Sequence, residues 1–498
     1  MKKYIASIVA VLTCSFYMNS VSAASVNVAI DSSPAGLDPH LITAFNSVII
    51  VQNNIYEGLT NIDSDLSVVP GLAKSWDVSS DGLTYTFNLH SGVTFHDGSA
   101  MDAADVISSI SRVQNKDIAS PLASRVSPIV DMKMIDKETV QLKLNEPFAA
   151  ILSSLAGIAI VPSEYENDIE TLQQTPIGTG PFKFDNWQPN SHIDMSKFAD
   201  YRTSGLPKID SVKVSFVPES ATRQVGLSNG EYDILPGVDP ATALQLQSNA
   251  NVDIYQTRNL SYTLLGMNVT RPPLDNANVR KAINLLLKRE DIVDGALFGA
   301  AVPGGPLSPA LETWSMDTAD FSCYNNDVAE AAKLIKDAGI TSPIELEILV
   351  LPRQDAKDIS QVIQQQLNAG GFEITLANKE IGEFVQDWRN SDFDMFVSAN
   401  GGNPDPDQYF YRTFKTGGST NVFKYSDSQI DEWLDEGRKS TSTEERRSIY
   451  NKVQEKLACE GPISHIAYGD LSTAVNKQVK GFEIYATGRL ASLISVTK

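Results

Sequence analysis

Cysteine, histidine and positive charge are all scarce in this chain. Three cysteines in 498 residues exclude a heavily cross-linked extracellular scaffold. His40, His90, His96, His192 and His465 show no close pairing of the metal-ligand type. Lysine and arginine number 40 against 61 acids, for a formal net charge of -21, which disfavours broad attraction to nucleic acid or anionic lipid. There is no Walker phosphate loop, Gly-x-Ser-x-Gly elbow or His-Glu-x-x-His helix. No metal, cofactor or enzymatic role is expected.

What is present begins with an export signal. Met1-Lys2-Lys3 is positive, Tyr4 to Tyr17 is mostly apolar, and Val21-Ser22-Ala23-Ala24 supplies small residues for cleavage. Ser7, Thr13 and Ser15 interrupt the apolar run, which is shorter than the roughly 20 residues of a spanning helix. Cleavage is expected after Ala24, with Ala23 the near alternative, so residues 1–24 read as a signal peptide. Cys14 follows Val11-Leu12-Thr13, a poor lipidation box because of Thr13. The mature protein then retains only Cys323 and Cys459, as one disulfide or as two buried thiols. Its length exceeds what one core usually serves, so two or more lobes are expected.

Periodicity places elements along the chain. Leu83, Tyr85, Phe87 and Leu89 alternate as a strand between the turns Asp81-Gly82 and Asp97-Gly98. Asp102 and Asp105 open a helix bearing Val106, Ile107 and Ile110. Val140, Leu142 and Leu144, then Val212, Val214 and Phe216, read as strands. Val279, Ile283, Leu286 and Leu287 form a helical stripe. Asp327 caps a helix that Gly339 ends. Ile344 to Ile348, Ile359 to Leu367 and Phe372 to Leu376 then give strand, helix and strand, the signature of an α/β lobe. Ser442 and Glu445 have the spacing of a capping box. Asp405 and Asp407 are a tempting carboxylate pair, yet Pro406 between them makes a capped turn the better reading.

Several ordered blocks resemble the peptide-binding class (family 5, dipeptide and oligopeptide type) of substrate-binding proteins of ABC transporters. They are Leu37-Asp38-Pro39, Tyr56-Glu57-Gly58-Leu59, Val69 to Trp76, Gly92 to Gly98, Pro176 to Phe182, Pro273-Leu274-Asp275 with Val279 to Ile283, and Asp405-Pro406-Asp407. The resemblance implies an α/β periplasmic-binding-protein-like fold of two hinged lobes plus an extra domain, the cluster C type. Residues 25–60, 175–265 and 475–498 would form lobe I, 61–174 the extra domain and 266–474 lobe II. It also implies a monomeric periplasmic receptor that closes on an oligopeptide or peptide-like molecule and delivers it to an ABC permease. A receptor for an opine or small saccharide is the alternative; an extracellular hydrolase is a distant third.

The same resemblance places a recognition loop at Ala399 to Asp407. Family members often carry an aspartate four residues before the loop proline, where it pairs with the peptide ammonium; here that position is Gly402. A buried ammonium without an anion is costly. Either Glu57 or Asp405 compensates, or the cargo lacks a free amino terminus. An aspartate at Gly402 is expected to narrow an uncharged floor. Asn400, Gly401, Asn403, Tyr409 and Tyr411 are candidates for ligand contact or for holding the loop, and Trp388 for ligand contact or helix packing. Arg353 and Arg412 are candidate anchors for acidic cargo, whereas Arg280 reads as a structural salt link.

Overall fold

Apolar alternation builds the central sheet. Val26, Val28 and Ile30 on the strand Ser25–Ile30 lie in parallel register with Val212, Val214 and Phe216 on Ser211–Phe216. The computed structural model describes residues 24–498, and in it these strands belong to one eleven-stranded sheet. The signal-peptide assignment lies outside the described residues, apart from Ala24. Beyond Ser211–Phe216 come His192–Lys197 and Phe182–Gln188, both antiparallel. At the other end, Ile344–Val350 lies between Phe372–Asn378 and Met395–Asn400, parallel to both. Helix Gln354–Ala369 makes the connection between the first two of these, as the strand-helix-strand pattern implies.

Two long strands tie the resulting lobes together. Val252–Met267 runs antiparallel to Ile463–Asn476, from Val252 opposite Asn476 to Gly266 opposite Ile463. The pairing breaks midway: Arg258 faces Asp470 and Tyr262 faces Tyr468, so Asn259, Leu260 and Ser261 oppose Gly469 alone. A bulge of this kind bends and twists a ribbon. Arg258 and Asp470 form an ion pair of 2.7 Å at its edge.

A separate four-stranded antiparallel sheet runs in the order Ala73–Val78, Thr84–Leu89, Thr139–Leu144, Ile129–Asp136. Tyr85, Phe87 and Leu89 pack with Val140, Leu142 and Leu144 beneath Val106, Ile110 and Val113 of helix Ala103–Gln114. Each such buried side chain contributes about 1.5–3 kcal/mol. Asp102 accepts from the Ala104 N–H while Asp105 accepts from the Asp102 N–H, closing both sides of the helix cap.

Buried polar fasteners seat this body on the first lobe. The fully buried Arg112 donates to both Asp38 oxygens, at 2.6 and 3.0 Å, and to His40 Nδ1 at 3.0 Å. Gly178 and Gly180 press so closely on the Ile55 and Asn54 carbonyls that a Cβ at either would collide. His96 Nε2–H donates to the Gly180 carbonyl at 2.9 Å. The sequence blocks around residues 38, 96 and 180 thus hold the lobe and the extra sheet together.

In the second lobe, Val279, Ile283 and Leu286 of helix Ala277–Leu286 enter the core. Arg280 is structural as expected, but it donates to the carbonyls of Glu460, Leu274 and Asp275 rather than to an acid. Asp327 caps helix Val328–Asp337, and Gly339 takes φ +74° just beyond it. Ser442 accepts from the Glu445 N–H; the Glu445 carboxylate turns instead to the Ser440 hydroxyl, so the expected box forms on one side only. Cys323 and Cys459 are bridged. The neighbouring Tyr324 ring lies 3.4 Å from the Arg289 guanidinium.

Candidate ligand-binding cleft

The bulged residues Asn259, Leu260 and Ser261 form one wall of a cavity of about 380 Å³, a size suited to a small molecule. Ile42, Phe45, Gln52 and Tyr56 of the first lobe line a second wall. Leu122, Arg125, Ser153 and Gly157 come from the extra sheet's body, Ala486 to Arg489 from near the C-terminus, and Gly402, Asn403, Pro404 and Gln408 from the second lobe. Ser153, Pro404 and Ala486 also border an adjoining cavity of about 800 Å³, whose lining includes Leu66, Arg258, Trp314, Asp405 and Arg446.

The loop at Ala399 to Asp407 is shorter than the resemblance implies. Ala399 and Asn400 remain in the sheet, paired with Thr263 and Tyr262, and Asn400 Nδ2 donates to the Tyr262 hydroxyl at 3.0 Å. Gly401 offers its carbonyl to Arg412 at 2.8 Å. Gly402 and Asn403 line the smaller cavity. Asp405 caps helix Pro406–Phe414, as Pro406 suggested, and its carboxylate takes two bonds from Arg446 at 2.7 and 3.0 Å. Asp407 is held in the same manner by Arg438 at 2.9 and 3.0 Å.

The remaining candidates turn away from the smaller cavity. Tyr409 is 2% exposed and donates its hydroxyl to the Leu260 carbonyl at 2.5 Å. Tyr411 donates to Asp435, with the Arg438 guanidinium 3.2 Å from its ring centre. Trp388 packs on the aromatic core of the second lobe. Glu57 does not compensate for the missing aspartate: it accepts from Arg202 at 2.5 Å, Tyr201 at 3.0 Å and Thr179 at 3.1 Å. Asp405 is equally committed. Arg353 pairs with Asp355 on the surface.

The charged lining was not foreseen. Among the described residues no acid lines the smaller cavity; its charged side chains are Arg125 and Arg489. Both are half-buried, and neither has a carboxylate partner among the described residues. Arg489 reaches only Asn53 Oδ1, at 3.4 Å. Burial, aided by the charge of Arg125, pushes the Arg489 guanidinium down to about 10. Burial and the nearby Arg412 lower Arg125 as well. The two lie far apart in the sequence and neither belongs to a motif. Only folding brings them into one cavity.

Among the described residues no group of three or more His, Cys, Asp or Glu is placed to hold a metal ion. The arrangement offers anion contacts, amide groups and apolar surface within a cleft between lobes.

Comparison with known proteins agrees with this geometry. The chain is 28% identical to the glutathione-binding protein GsiB of Pectobacterium atrosepticum over 92% of its own length and 91% of the relative's. It is 27% identical to the dipeptide-binding protein of Escherichia coli, covering 94% of each. Among solved structures, HbpA2 of Haemophilus parasuis superposes with a TM-score of 0.84 at 25% identity, over 95% of this chain and 99% of that one. The Helicobacter pylori binding protein DppA, solved with a bound peptide, gives 0.78 at 26% identity over 95% and 98%. The model of the bacterial extracellular solute-binding proteins, family 5, middle region, matches residues 67–421. With that match spanning more than half of its length, the chain belongs to the family 5 bacterial extracellular solute-binding proteins.

Proposed function

We propose that this protein is a periplasmic receptor that captures a peptide or peptide-like small molecule and presents it to an ABC importer. One observation carries the reading: the smaller cavity is lined by both lobes and by the extra sheet's body. A solute held there touches every wall, and contacts to opposed walls favour the closed state. Cargo of peptide size is supported by the relatives, whose names include glutathione-binding and dipeptide-binding proteins.

An opine-like conjugate is the second reading, favoured by a specific observation. Glu57 and Asp405 are both paired internally, which leaves the ammonium of an ordinary dipeptide without an anion in the smaller cavity. A conjugate whose nitrogen is acylated or closed into a lactam carries no ammonium and needs none.

Native mass spectrometry of protein purified without refolding, followed by release and identification of the bound molecule, tests both readings. Adding the released molecule back is expected to compact the protein in solution scattering. A protein that carries no small solute and changes shape with none refutes the receptor assignment.

A further inference from the structure

We propose that Arg125 and Arg489 form an anion seat, so that the cargo presents one or two carboxylates within the smaller cavity. This rests on the receptor reading and narrows its cargo to acidic, peptide-like molecules.

The other buried and half-buried arginines show how this molecule treats a guanidinium withdrawn from bulk water. Arg112 is paired with Asp38, Arg202 with Glu57, Arg438 with Asp407 and Arg446 with Asp405. Where the partner is not an acid, other groups stand in: Arg280 meets three carbonyls, and Arg289 meets a carbonyl, the Asn284 amide oxygen and the Tyr324 ring. A buried charge left alone is costly, so such pairing is the physical norm. Arg412, with the single Gly401 carbonyl, and Arg125 and Arg489 break the pattern, and of these three only Arg125 and Arg489 line the smaller cavity.

Their shared place in one acid-free cavity sharpens the argument. Two cations lining one cavity with no acid beside them both gain when an anion enters it, and the gain is larger where water is thin. Gly157 makes the room: a Cβ there would stand 2.7 Å from Arg125 Nη1. Asn403 and Gln408, on the opposite lobe, supply amides to the uncharged part of the same ligand. A carboxylate suits the guanidinium fork because both oxygens can be bonded at once.

The test uses Arg125→Met, Arg489→Met and Gly157→Ala in the full mature chain, with malonate and its uncharged diamide as probes at fixed ionic strength. Malonate is expected to raise the melting temperature of the parent protein and the diamide to leave it unchanged; either Met variant abolishes the malonate response. Without ligand the Met variants melt no lower than the parent, because each loses an uncompensated charge. Gly157→Ala displaces Arg125 and weakens the malonate response while the fold stays intact. For the molecule released from native protein, each Met variant is expected to lose affinity about tenfold to a hundredfold.

Equal responses to malonate and the diamide, or Met variants that bind the released molecule as the parent does, overturn the anion seat. A released molecule without an anionic group does the same while leaving the receptor reading intact. Absence of any bound or shape-changing solute removes the receptor reading instead, and the malonate comparison still decides whether the two arginines hold an anion.

Discussion

Tyr409 donates its hydroxyl to the main-chain carbonyl of Leu260, and Gly402 lies against both. Leu260 is free to accept because the bulge takes Asn259 to Ser261 out of the ladder. A Cβ on Gly402 would fall well inside van der Waals distance of the carbonyl and the phenol. Glycine is therefore needed here for close approach, and an aspartate would act first by breaking this contact, not by narrowing a floor. Gly402→Ala is expected to cost about 1–3 kcal/mol from overpacking, read by urea unfolding. The loss should shrink in a Tyr409→Phe background, where one of the two collisions is relieved. A Gly402→Ala protein as stable as the parent contradicts the close approach.

Glu57 is a structural acid. Its carboxylate ties Arg202, Tyr201 and Thr179 together at the base of the extra sheet. Glu57→Gln leaves Arg202 short of a counter-charge and is expected to lower stability by about 2–4 kcal/mol. Calorimetric affinity for the native cargo should remain within a factor of about three. A large change in affinity with little change in stability would return Glu57 to the binding site.

Three buried histidines make the fold acid-sensitive. Burial holds His40 and His96 down at about 4 and His465 down at about 3. Between those values and the ordinary 6.5, the unfolded chain binds protons that the native chain refuses. Stability is thus complete above pH 6.5 and falls as the pH drops toward 4, by up to about 1.4 kcal/mol per pH unit for each histidine. His465 is the cleanest probe, since neither ring nitrogen has a hydrogen-bond partner among the described residues. His465→Leu should change stability little at pH 7 and raise it by about 2 kcal/mol at pH 5. Parallel stability curves for the two proteins from pH 7 to 5 would contradict a neutral buried imidazole.

The bridge between Cys323 and Cys459 spans 136 residues of chain. It fastens the short turn Ser322–Tyr324 to the last turn of helix Thr443–Glu460. Replacing both cysteines by serine, or reducing the bridge, is expected to cost about 2–4 kcal/mol. Urea midpoints with and without reductant measure it; identical midpoints mean that the bridge does not limit unfolding.

Much of this architecture could be read from residues in order. Tyr85, Phe87 and Leu89 alternate because one face of their sheet is buried; Asp102, Asp327 and Asp405 mark helix starts because a short acceptor satisfies free N–H groups. Such signals are local, and so they survive without a structure. The cleft is not local. Asn403 lines it, but Asn400, Tyr409 and Glu57 are held by Tyr262, Leu260 and Arg202, partners more than 130 residues away in sequence. The same distance hid Arg125 and Arg489, whose importance lies in partners they lack. Register within a loop was also out of reach, because strand Met395–Asn400 continues through Ala399 and Asn400 on the strength of pairing with Tyr262 and Thr263.

The three residues that escape the ladder at Asn259, Leu260 and Ser261 also border the cavity. A guest lying on them presses against the crease of the ribbon itself. For the proposed receptor, recognition and flexing would have a common address, and a tight fit would alter the angle between the lobes without any relay through the cores on either side.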